Sequence, residues 1–504
     1  MKKEVKKEKP KELTNLKEKA SKISKEDKSI GISVKKEQDM PLWYEQVCLK
    51  AEVADFGPVK GTMIIRPNGY AIWQAIQDYF NEHIVKATGT RNAYFPLFIP
   101  ESFFKKEAEH AQGFSPEVAW LDKEVSGEGE RIAIRPTSET IMYDSYSKWI
   151  RSYKDLPLKM NQWCNVVRWE TQATKLFLRS REFLWQEGHC VYETEEECVK
   201  DTINYIELYA KLCKDLLALP TMIGQKTEKE KFAGAKATYA IEAFMPDGKA
   251  LQCGTSHNLG QGFAKAFNIS FLGRDEKPHS PWQNSWGLST RLLGAVIMTH
   301  SDNKGLVLPP RAAENKLVIV PIIIAKDNAP KIKAQELLKQ LKDFNPILDD
   351  RDSISAGYKF SEWEMKGIPL RIEIGPRDIK ENKIVVARRD TGEKTSITMN
   401  SKLNEEINKI LEKMHSDLLK KAQTNLDSSI VKVKDMPELI KAIKDNKLAE
   451  ANFCGSDKCE DYIKEKTQGA SSRCMPFNKN PEKTTKCVYC NKPAKHIVYF
   501  SRSY

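Results

Sequence analysis

The spacing of apolar residues along the chain changes several times, and each change predicts a different kind of element. Residues 41–53 and 71–89 carry apolar positions typical of helices, and PNGY at 67–70 predicts a turn before the second of them. Residues 92–300 alternate β-rich runs with turns. The run KLVIVPIIIAK at 316–326 predicts a buried strand, and the helical pattern AQELLKQLKDF follows it. A second, smaller α/β unit therefore begins near residue 316.

A charged helical stretch at 401–423 follows that unit and leads towards a cysteine-rich end. Together these patterns predict a mixed α/β (α+β) chain of two or three domains, preceded by a Lys-rich tail at 1–39.

Composition narrows the class of protein. The longest apolar run has nine residues, Leu317 to Ala325, and contains Pro321, so we expect no membrane span. The net charge of +12 is compatible with an acidic partner such as nucleic acid. The tail holds 13 Lys against eight acidic residues and predicts disorder, as a solubilising segment or a weak RNA-binding arm. It lacks the features of a signal or transit peptide, so we expect a cytoplasmic protein.

Four of the 11 cysteines form two close pairs near the C-terminus. Cys454 and Cys459 form C-x4-C, Cys487 and Cys490 form C-x2-C, and 27 residues separate the pairs. Two such pairs can place four thiolates around a structural Zn²⁺. The alternatives are four unligated thiols, or Cys474 replacing one of the ligands.

The segment RWETQATKLFLRSREFLWQEGH at 168–189 mixes cations, carboxylates and aromatic rings. As an antiparallel hairpin it would place alternate side chains on one face. Guanidinium groups suit phosphate and carboxylate oxygens, and aromatic faces can stack on a purine. The pattern is equally compatible with an exposed hairpin held by salt bridges. The side chains on that face would be Arg168, Glu170, Phe183, Trp185, Glu187 and His189.

Several motifs occur in an order that resembles a known family. ATGTRNAYFP at 87–96 resembles motif 1 of the class II aminoacyl-tRNA synthetases, R-x-E at 168–170 resembles motif 2, and GLSTRLLGAVIM at 287–298 resembles motif 3. With RPTSET, CGTSHNLGQGF, KFSEWEMKGIPLRIEIGPRD and a terminal tyrosine, residues 40–504 resemble the prolyl-tRNA synthetases of the archaeal and eukaryotic-type branch.

The resemblance implies a class II antiparallel-sheet catalytic domain at 40–312, an α/β anticodon-binding domain at 313–423 and a small zinc-binding α+β domain at 424–504. It implies a homodimer that packs through motif 1. Only 62 residues separate His189 from Gln252, which leaves no room for the editing domain that bacterial-type relatives carry there.

The activity implied is ATP-dependent attachment of L-proline to tRNA(Pro) through a prolyl-adenylate, with Mg²⁺ accompanying ATP. Arg168 and Arg291 would be the catalytic cations. The resemblance assigns proline binding to Thr137, Glu139, Arg168, Trp185, Glu187, His189 and His257, with Phe114 and Glu117 near the mouth of the pocket. It assigns ATP binding to Arg168, Glu170, Arg179, Phe183, Gln252, Thr255, Ser289 and Arg291.

In the anticodon-binding domain the same resemblance points to Glu364 and Arg377 as base readers, since a carboxylate and a guanidinium can address the edges of guanine. Local pairing of Glu364 is the alternative. Three other functions remain open: a synthetase for a second amino acid such as threonine, a non-catalytic synthetase-like regulator, and an RNA-binding zinc protein. Retention of both Arg168 and Arg291 disfavours the regulator.

Overall fold

A twelve-stranded, mainly antiparallel sheet forms the centre of the computed structural model, which describes residues 31–108, 118–127, 129–169, 173–323 and 328–504. The strands of its main path, in spatial order, are Ile430–Val433, Leu448–Phe453, His496–Ser503, Lys249–Gly260, Trp282–Ser289, Glu182–Tyr192, Leu158–Val167 and Arg91–Asn92. The remaining strands are Ala237–Phe244, Met222–Gln225, Met475–Pro476 and Ser471–Ser472.

The predicted hairpin is confirmed by two long strands of this sheet. Leu158–Val167 and Glu182–Tyr192 pair antiparallel, and the register sets Gln162 opposite Glu187 and Met160 opposite His189. Successive side chains of a strand point to opposite faces, so Trp185, Glu187 and His189 face one side together.

The two helices predicted near the start of the large unit are present, and one detail of their prediction is wrong. The first helix is Met40–Lys50, and the second begins at Pro67, so PNGY is the first turn of that helix and not a separate turn. Proline fits this position because the first helical N–H needs no partner. Gly69 is required there, since a Cβ would come within 2.2 Å of the Val53 carbonyl oxygen. The helical segment continues through Asn81–Val85 and Lys86–Thr88 to Gly89, whose φ of +69° ends it.

A 21-residue helix, Glu195–Asp215, covers one face of the sheet. The Thr194 hydroxyl caps it by accepting the Glu197 N–H at 3.2 Å. The ring of Trp286 stacks against Tyr205 at 4.0 Å between ring centroids and lies above Gly188, where a Cβ would meet the indole at 2.1 Å. The other helices of this unit are Glu101–Ala108, Lys123–Ser126, Glu139–Trp149, Tyr153–Asp155, Gly262–Ala266 and Arg291–His300.

Three smaller sheets complete the large unit, and a fourth forms the second unit. Two of these three sheets are strand pairs, Ala54–Phe56 with Met63–Ile65 and Phe271–Leu272 with Pro278–His279. The third has three strands in the order Phe98–Pro100, Ile132–Ile134 and Ala119–Leu121. The predicted α/β unit contains a five-stranded sheet in the order Ile347–Leu348, Leu317–Pro321, Leu370–Ile374, Lys383–Arg388 and Lys394–Thr398. Its helices are Ala329–Gln340, Lys342–Phe344, Ala356–Lys366 and Pro376–Lys380.

The C-terminal unit is joined to the catalytic sheet more closely than the sequence predicted. A single helix, Leu403–Ser429, runs across the predicted boundary at 423/424. Beyond it lie the helices Met436–Lys444 and Asp457–Lys466. Strand His496–Ser503 pairs with Lys249–Gly260, so the strands of the C-terminal unit extend the catalytic sheet.

Part of the segment predicted to be a disordered tail is ordered. Residues 1–30 lie outside the described residues, but residues 31–39 pack on the catalytic unit. Ile32 and Val34 contact its core, and the Lys36 ammonium donates to the carbonyl oxygens of Met298 at 2.6 Å and Ser301 at 3.1 Å. These contacts satisfy carbonyls at the end of helix Arg291–His300. Within the described part of the chain, no helix has the length and apolar character needed to cross a membrane.

Candidate active site

A cavity of about 540 Å³ opens on the face of the main sheet that carries the hairpin side chains. Three neighbouring strands, Glu182–Tyr192, Trp282–Ser289 and Lys249–Gly260, provide much of its wall, and the loop at 226–237 covers part of it. The predicted site residues that line it are Thr137, Glu139, Arg168, Phe183, Trp185, Glu187, His189, Gln252, Thr255, His257, Ser289 and Arg291.

The strand register arranges some of these residues in rows. His189 lies opposite Ser285, and Ser285 lies opposite His257. Two residues further along, Glu187, Gly287 and Thr255 form the next row. Gly287 leaves this row without a central side chain, which keeps the cavity open between the two flanking strands.

A buried carboxylate, Glu187 in the second row, is the centre of the polar network in the cavity. It accepts hydrogen bonds from the Ser138 N–H at 3.1 Å, the Ser138 hydroxyl and the Gln162 side-chain amide at 3.1 Å, and it lies 3.1 Å from His189 Nε2. Burial opposes ionisation of Glu187, but the hydrogen bond and charge of His189 outweigh it and lower the carboxyl pKa. Burial likewise opposes protonation of His189, yet the Glu187 hydrogen bond and the charges of Glu139 and Glu187 raise its pKa.

A second buried carboxylate, Glu139, lies beside this pair. Thr137 donates its hydroxyl hydrogen to Glu139, which begins the helix Glu139–Trp149. Oxygen and nitrogen atoms of Glu139, Glu187 and His189 lie within 4.8 Å of one another. Even with the imidazole protonated, two carboxylates leave an excess of negative charge. The cluster is therefore suited to a small cation that also has an apolar body, because Trp185 and Phe232 share the cavity wall.

His257 contributes an imidazole from strand Lys249–Gly260, on the far side of Trp282–Ser289 from Glu187 and His189. Its Nδ1 lies 3.0 Å from the Thr238 hydroxyl, and its ring centroid is 4.7 Å from that of Phe232. Burial, followed by the charge of His189, lowers the His257 pKa to about 3. His257 is therefore neutral at physiological pH.

Two arginines line the cavity with their side chains anchored to main-chain oxygens. Arg168 Nε donates to the Pro136 carbonyl at 3.2 Å, and its guanidinium lies 5.5 Å from the Trp185 ring centroid. Arg291 Nη1 donates to the Gln252 carbonyl at 3.2 Å, and its Nε donates to the Leu178 carbonyl at 3.3 Å. Such anchoring positions cationic groups before any anion binds.

Four of the residues predicted to bind proline or ATP are not among the described residues that line this cavity. Arg179 lies on the segment that connects the two hairpin strands, where its backbone pairs with Lys175, and it is absent from the described cavity wall. Glu170, Phe114 and Glu117 lie outside the described residues.

Sequence reasoning missed several residues that build the cavity. Ser138 and Gln162 hold Glu187, while Glu230, Phe232 and Thr238 arrive on or next to the loop at 226–237. A phenylalanine inside the charged run TEKEKFAGAK was the only signal for that loop, and a charged run is more often a solvated surface.

The two proposed base readers occupy different environments in the second unit. Glu364 accepts a hydrogen bond from Arg371 Nη1 at 3.4 Å and lies 3.8 Å from the Lys304 ammonium, which is the local pairing given as the alternative. Arg377 is 91% exposed on the helix Pro376–Lys380, and its nearest acidic partner is Glu381 at 3.5 Å.

The four paired cysteines come together in the C-terminal unit. Their sulfur atoms lie within 4.8 Å of one another, with 3.5 Å between Cys454 and Cys459 and 3.6 Å between Cys454 and Cys490. A tetrahedral site with Zn–S bonds of about 2.3 Å has edges of roughly 3.8 Å, so the donor set fits zinc. Cys474 is not part of this group; it is buried in a separate apolar cluster.

Comparison with known proteins agrees with this arrangement. A model of the class II tRNA synthetase core domain (G, H, P, S and T) matches residues 121–300, an anticodon-binding domain model matches 316–412, and a model of the prolyl-tRNA synthetase C-terminal domain matches 436–504. The chain therefore belongs to the class II aminoacyl-tRNA synthetases.

Curated relatives define the family within that class. The chain is 50% identical over 472 residues to the proline–tRNA ligase of Alkaliphilus oremlandii, and the matched region covers 93% of this chain and 97% of that protein. It is 48% identical over 472 residues to the proline–tRNA ligase of Acetoanaerobium sticklandii, with the same coverage. It is 48% identical over 477 residues to proline–tRNA ligase 2 of Clostridioides difficile, again covering 93% and 97%. The chain is a member of the prolyl-tRNA synthetase family.

The neutral state of His257 predicts a pH effect on stability. Because the unfolded chain protonates this residue near pH 6.5 and the folded chain does so only near pH 3, its contribution to stability falls as pH drops through that window. We expect His257→Gln to lose less stability than the parent between pH 6.5 and 4, by at most about 1.4 kcal/mol per pH unit. Melting temperatures measured against pH, with the exposed His83→Gln variant as control, test this. Parallel curves for the parent and His257→Gln would contradict it.

Proposed function

We propose that this chain activates L-proline with ATP and transfers the prolyl group to tRNA(Pro). The observation that carries the proposal is a single cavity that joins a negatively charged, buried cluster to two anchored arginines. The cluster suits the secondary ammonium group of proline, and the arginines suit the carboxylate of the amino acid and the phosphates of ATP.

In this proposal the imino group of proline lies between Thr137 and Glu139. Trp185, Phe232 and the two histidines surround the ring, and Glu187 keeps His189 in its orientation by their 3.1 Å hydrogen bond. Neutral His257 contacts the ring without placing a second positive charge near the prolyl ammonium group.

ATP occupies the part of the cavity that contains Arg168, Phe183 and Arg291. Phe183 stacks on adenine, Arg168 bridges the amino-acid carboxylate and the α-phosphate, and Arg291 binds the outer phosphates. Gln252, Thr255 and Ser289 provide polar contacts to the nucleotide, while Glu170 and Arg179 are assigned to the adenine amine and the outer phosphates by family resemblance alone. Mg²⁺ on the phosphates would add positive charge opposite the developing oxygen charge.

The reaction follows from these positions. A carboxylate oxygen of proline attacks the α-phosphorus, the bond from that phosphorus to the bridging oxygen breaks, and pyrophosphate leaves. The attacking carboxylate is already ionised at neutral pH, so this step needs no general base. Its rate depends on positioning and on cations at the developing charge. The 3′-terminal ribose hydroxyl of tRNA then displaces AMP from the prolyl-adenylate.

Arg168 should therefore be required for adenylate formation. We expect Arg168→Ala to slow proline-dependent pyrophosphate exchange by about 100- to 1,000-fold, or ~2.7–4 kcal/mol, as for loss of one preorganised charge stabiliser. Arg274→Ala is the control, because Arg274 is 70% exposed and absent from the described cavity wall. Exchange supported by threonine but not proline would sink the proposed specificity, and near-normal exchange by Arg168→Ala would remove Arg168 from the mechanism.

Recognition of the anticodon is proposed for Glu364 and Arg377. Arg377 is exposed, whereas Glu364 would have to exchange its contact with Arg371 for a base. Substitution of either residue should raise the KM for tRNA in charging assays while pyrophosphate exchange stays at the parental rate; a change in neither parameter would contradict the assignment.

The four clustered cysteines are proposed to bind one structural Zn²⁺. We expect elemental analysis to find one zinc per chain, and Cys487→Ser to lose it with a lower melting temperature of the C-terminal unit. Cys474→Ser is the matched control: burial raises the pKa of this thiol to about 12, and it lies in another cluster. Protein purified without chelator that contains no metal would refute the site.

A homodimer through the motif 1 region is also proposed. Tyr94, Phe98 and Trp149 are large apolar side chains near this motif that are each at least half exposed in one chain, at 71%, 53% and 50%. An interface between two copies would bury such a surface. Sedimentation as a monomer at micromolar concentration would count against it.

Membership of the archaeal and eukaryotic-type branch is proposed from architecture, although the relatives named above are bacterial. Residues 190–251 form strands and helix of the catalytic sheet, including Glu195–Asp215, without a further domain. Hydrolysis of alanyl-tRNA(Pro) by the purified protein would contradict this assignment.

A cytoplasmic location is also proposed, because translation takes place there. Localisation of the protein in cells would test it.

A further inference from the structure

The C-terminal unit contacts the catalytic unit directly beside the amino-acid end of the cavity. Strand Met222–Gln225 pairs with Met475–Pro476, with Gly224 opposite Pro476. Gly224 permits this approach, since a Cβ there would lie 2.3 Å from the Met475 carbonyl oxygen. The backbones of the two units therefore meet immediately before the loop at 226–237.

Buried charges join the same two units at the base of the loop. Glu242, which is fully buried, accepts two hydrogen bonds from Arg473, at 2.7 Å from Nε and 3.1 Å from Nη2. Lys226, the first residue of the loop, donates to the same carboxylate. Removing one member would leave a buried charge without its partner, so the three side chains hold one another in place.

Two further contacts hold the loop to the helix Asp457–Lys466. The Thr227 hydroxyl lies 3.3 Å from a carboxylate oxygen of Glu460 and 3.0 Å from the Ser472 hydroxyl. Ser472 donates to the same oxygen of Glu460, which is 2% exposed. Nearer the protein surface, Lys229 forms an ion pair with Asp461.

The held loop in turn positions part of the cavity wall. The Glu230 N–H donates to the Thr227 carbonyl at 3.1 Å, and the Phe232 N–H donates to the Thr238 hydroxyl at 2.9 Å. That hydroxyl lies 3.0 Å from His257 Nδ1. From residue 226 to residue 236 the loop has only turns, bends and irregular backbone, and residue 237 begins the strand Ala237–Phe244, so the shape of the loop depends on such anchors.

We propose that the C-terminal unit positions the 226–237 loop over the proline end of the active site, with Glu460 as a positioning residue. This inference rests on the proposed function. Arg168, Gln252 and Arg291, assigned to the nucleotide, lie on or beside the main sheet and outside this loop. The contacts of Glu460 with the loop therefore act on amino-acid binding and not on ATP binding, although no residue of the C-terminal unit lines the described cavity wall.

The test separates the two substrates in the pyrophosphate exchange reaction. We expect Glu460→Ala to raise the KM for proline by about 2- to 10-fold, which corresponds to the loss of one or two hydrogen bonds, while the KM for ATP stays within about twofold. Glu460→Gln should restore the parental KM, because its carbonyl oxygen still accepts from Thr227 and Ser472. Asp461→Ala should give a smaller rise in the same direction. Glu465→Ala is the matched control, because it removes an acid from the same helix whose partner, Lys466, is on that helix.

Zinc content and melting temperature report whether each variant folds. If Glu460→Ala does not fold, the Asp461→Ala variant, at an exposed position, provides the test instead. An unchanged KM for proline in folded variants, or equal rises for proline and ATP, would overturn the inference. A parent enzyme without proline-dependent exchange would instead refute the proposed function. In that case hydrogen exchange still tests the junction: amides of the 226–237 loop should exchange faster in Glu460→Ala than in Glu465→Ala, and equal rates would exclude the coupling.

Discussion

The buried carboxylate of Glu187 is the interaction on which the active site depends. A charge removed from water is costly unless hydrogen bonds replace its hydration. Its partners come from three places: Ser138 in the turn before a helix, Gln162 on the neighbouring strand and His189 on its own strand. The carboxylate is stabilised only when turn, strand pairing and histidine orientation are all in place, so the end of the cavity proposed to bind proline forms as one unit.

The end of the cavity proposed to bind ATP is organised by a different principle. Arg168 and Arg291 are oriented by main-chain carbonyl oxygens of Pro136, Gln252 and Leu178. Main-chain atoms in a folded sheet and its loops do not reorient when charge develops on a phosphate, which is the condition for electrostatic stabilisation of a transition state. One cavity thus combines a hydrogen-bonded anionic cluster with preorganised cations, as adenylation of a cationic amino acid requires.

Continuity of the main sheet links this site to the C-terminal unit. The strand His496–Ser503 extends the sheet beside Lys249–Gly260, while Arg473 reaches the fully buried Glu242. The zinc-type cysteine cluster lies in the same unit and shares the helix Asp457–Lys466 with Glu460, since Cys459 and Glu460 are neighbours in sequence. The zinc proposed for this cluster would tie down the helix whose acidic side chains hold the loop over the pocket.

The sequence by itself determined the hairpin, the α/β unit after residue 316, the family and most cavity residues. Each depended on a local pattern: alternation along Glu182–Tyr192, an apolar run, or motifs of fixed spacing. It misassigned PNGY, because a proline and a glycine favour a turn and a helix start alike, and it extended the tail to residue 39, because short apolar pairs such as Ile32 and Val34 carry little signal in a Lys-rich segment.

Only the tertiary structure decided which distant residues complete the site. Gln162 reaches Glu187 through strand register, and Ser138 reaches it from the turn before a helix. Thr238 lies opposite His257 in the paired strand, and Phe232 reaches His257 on a loop held by the C-terminal unit. Such contacts join residues up to 245 positions apart, as between Thr227 and Ser472. No periodicity along the chain encodes them, because they arise from packing of separately formed elements, whereas a strand's alternation is a property of its own backbone.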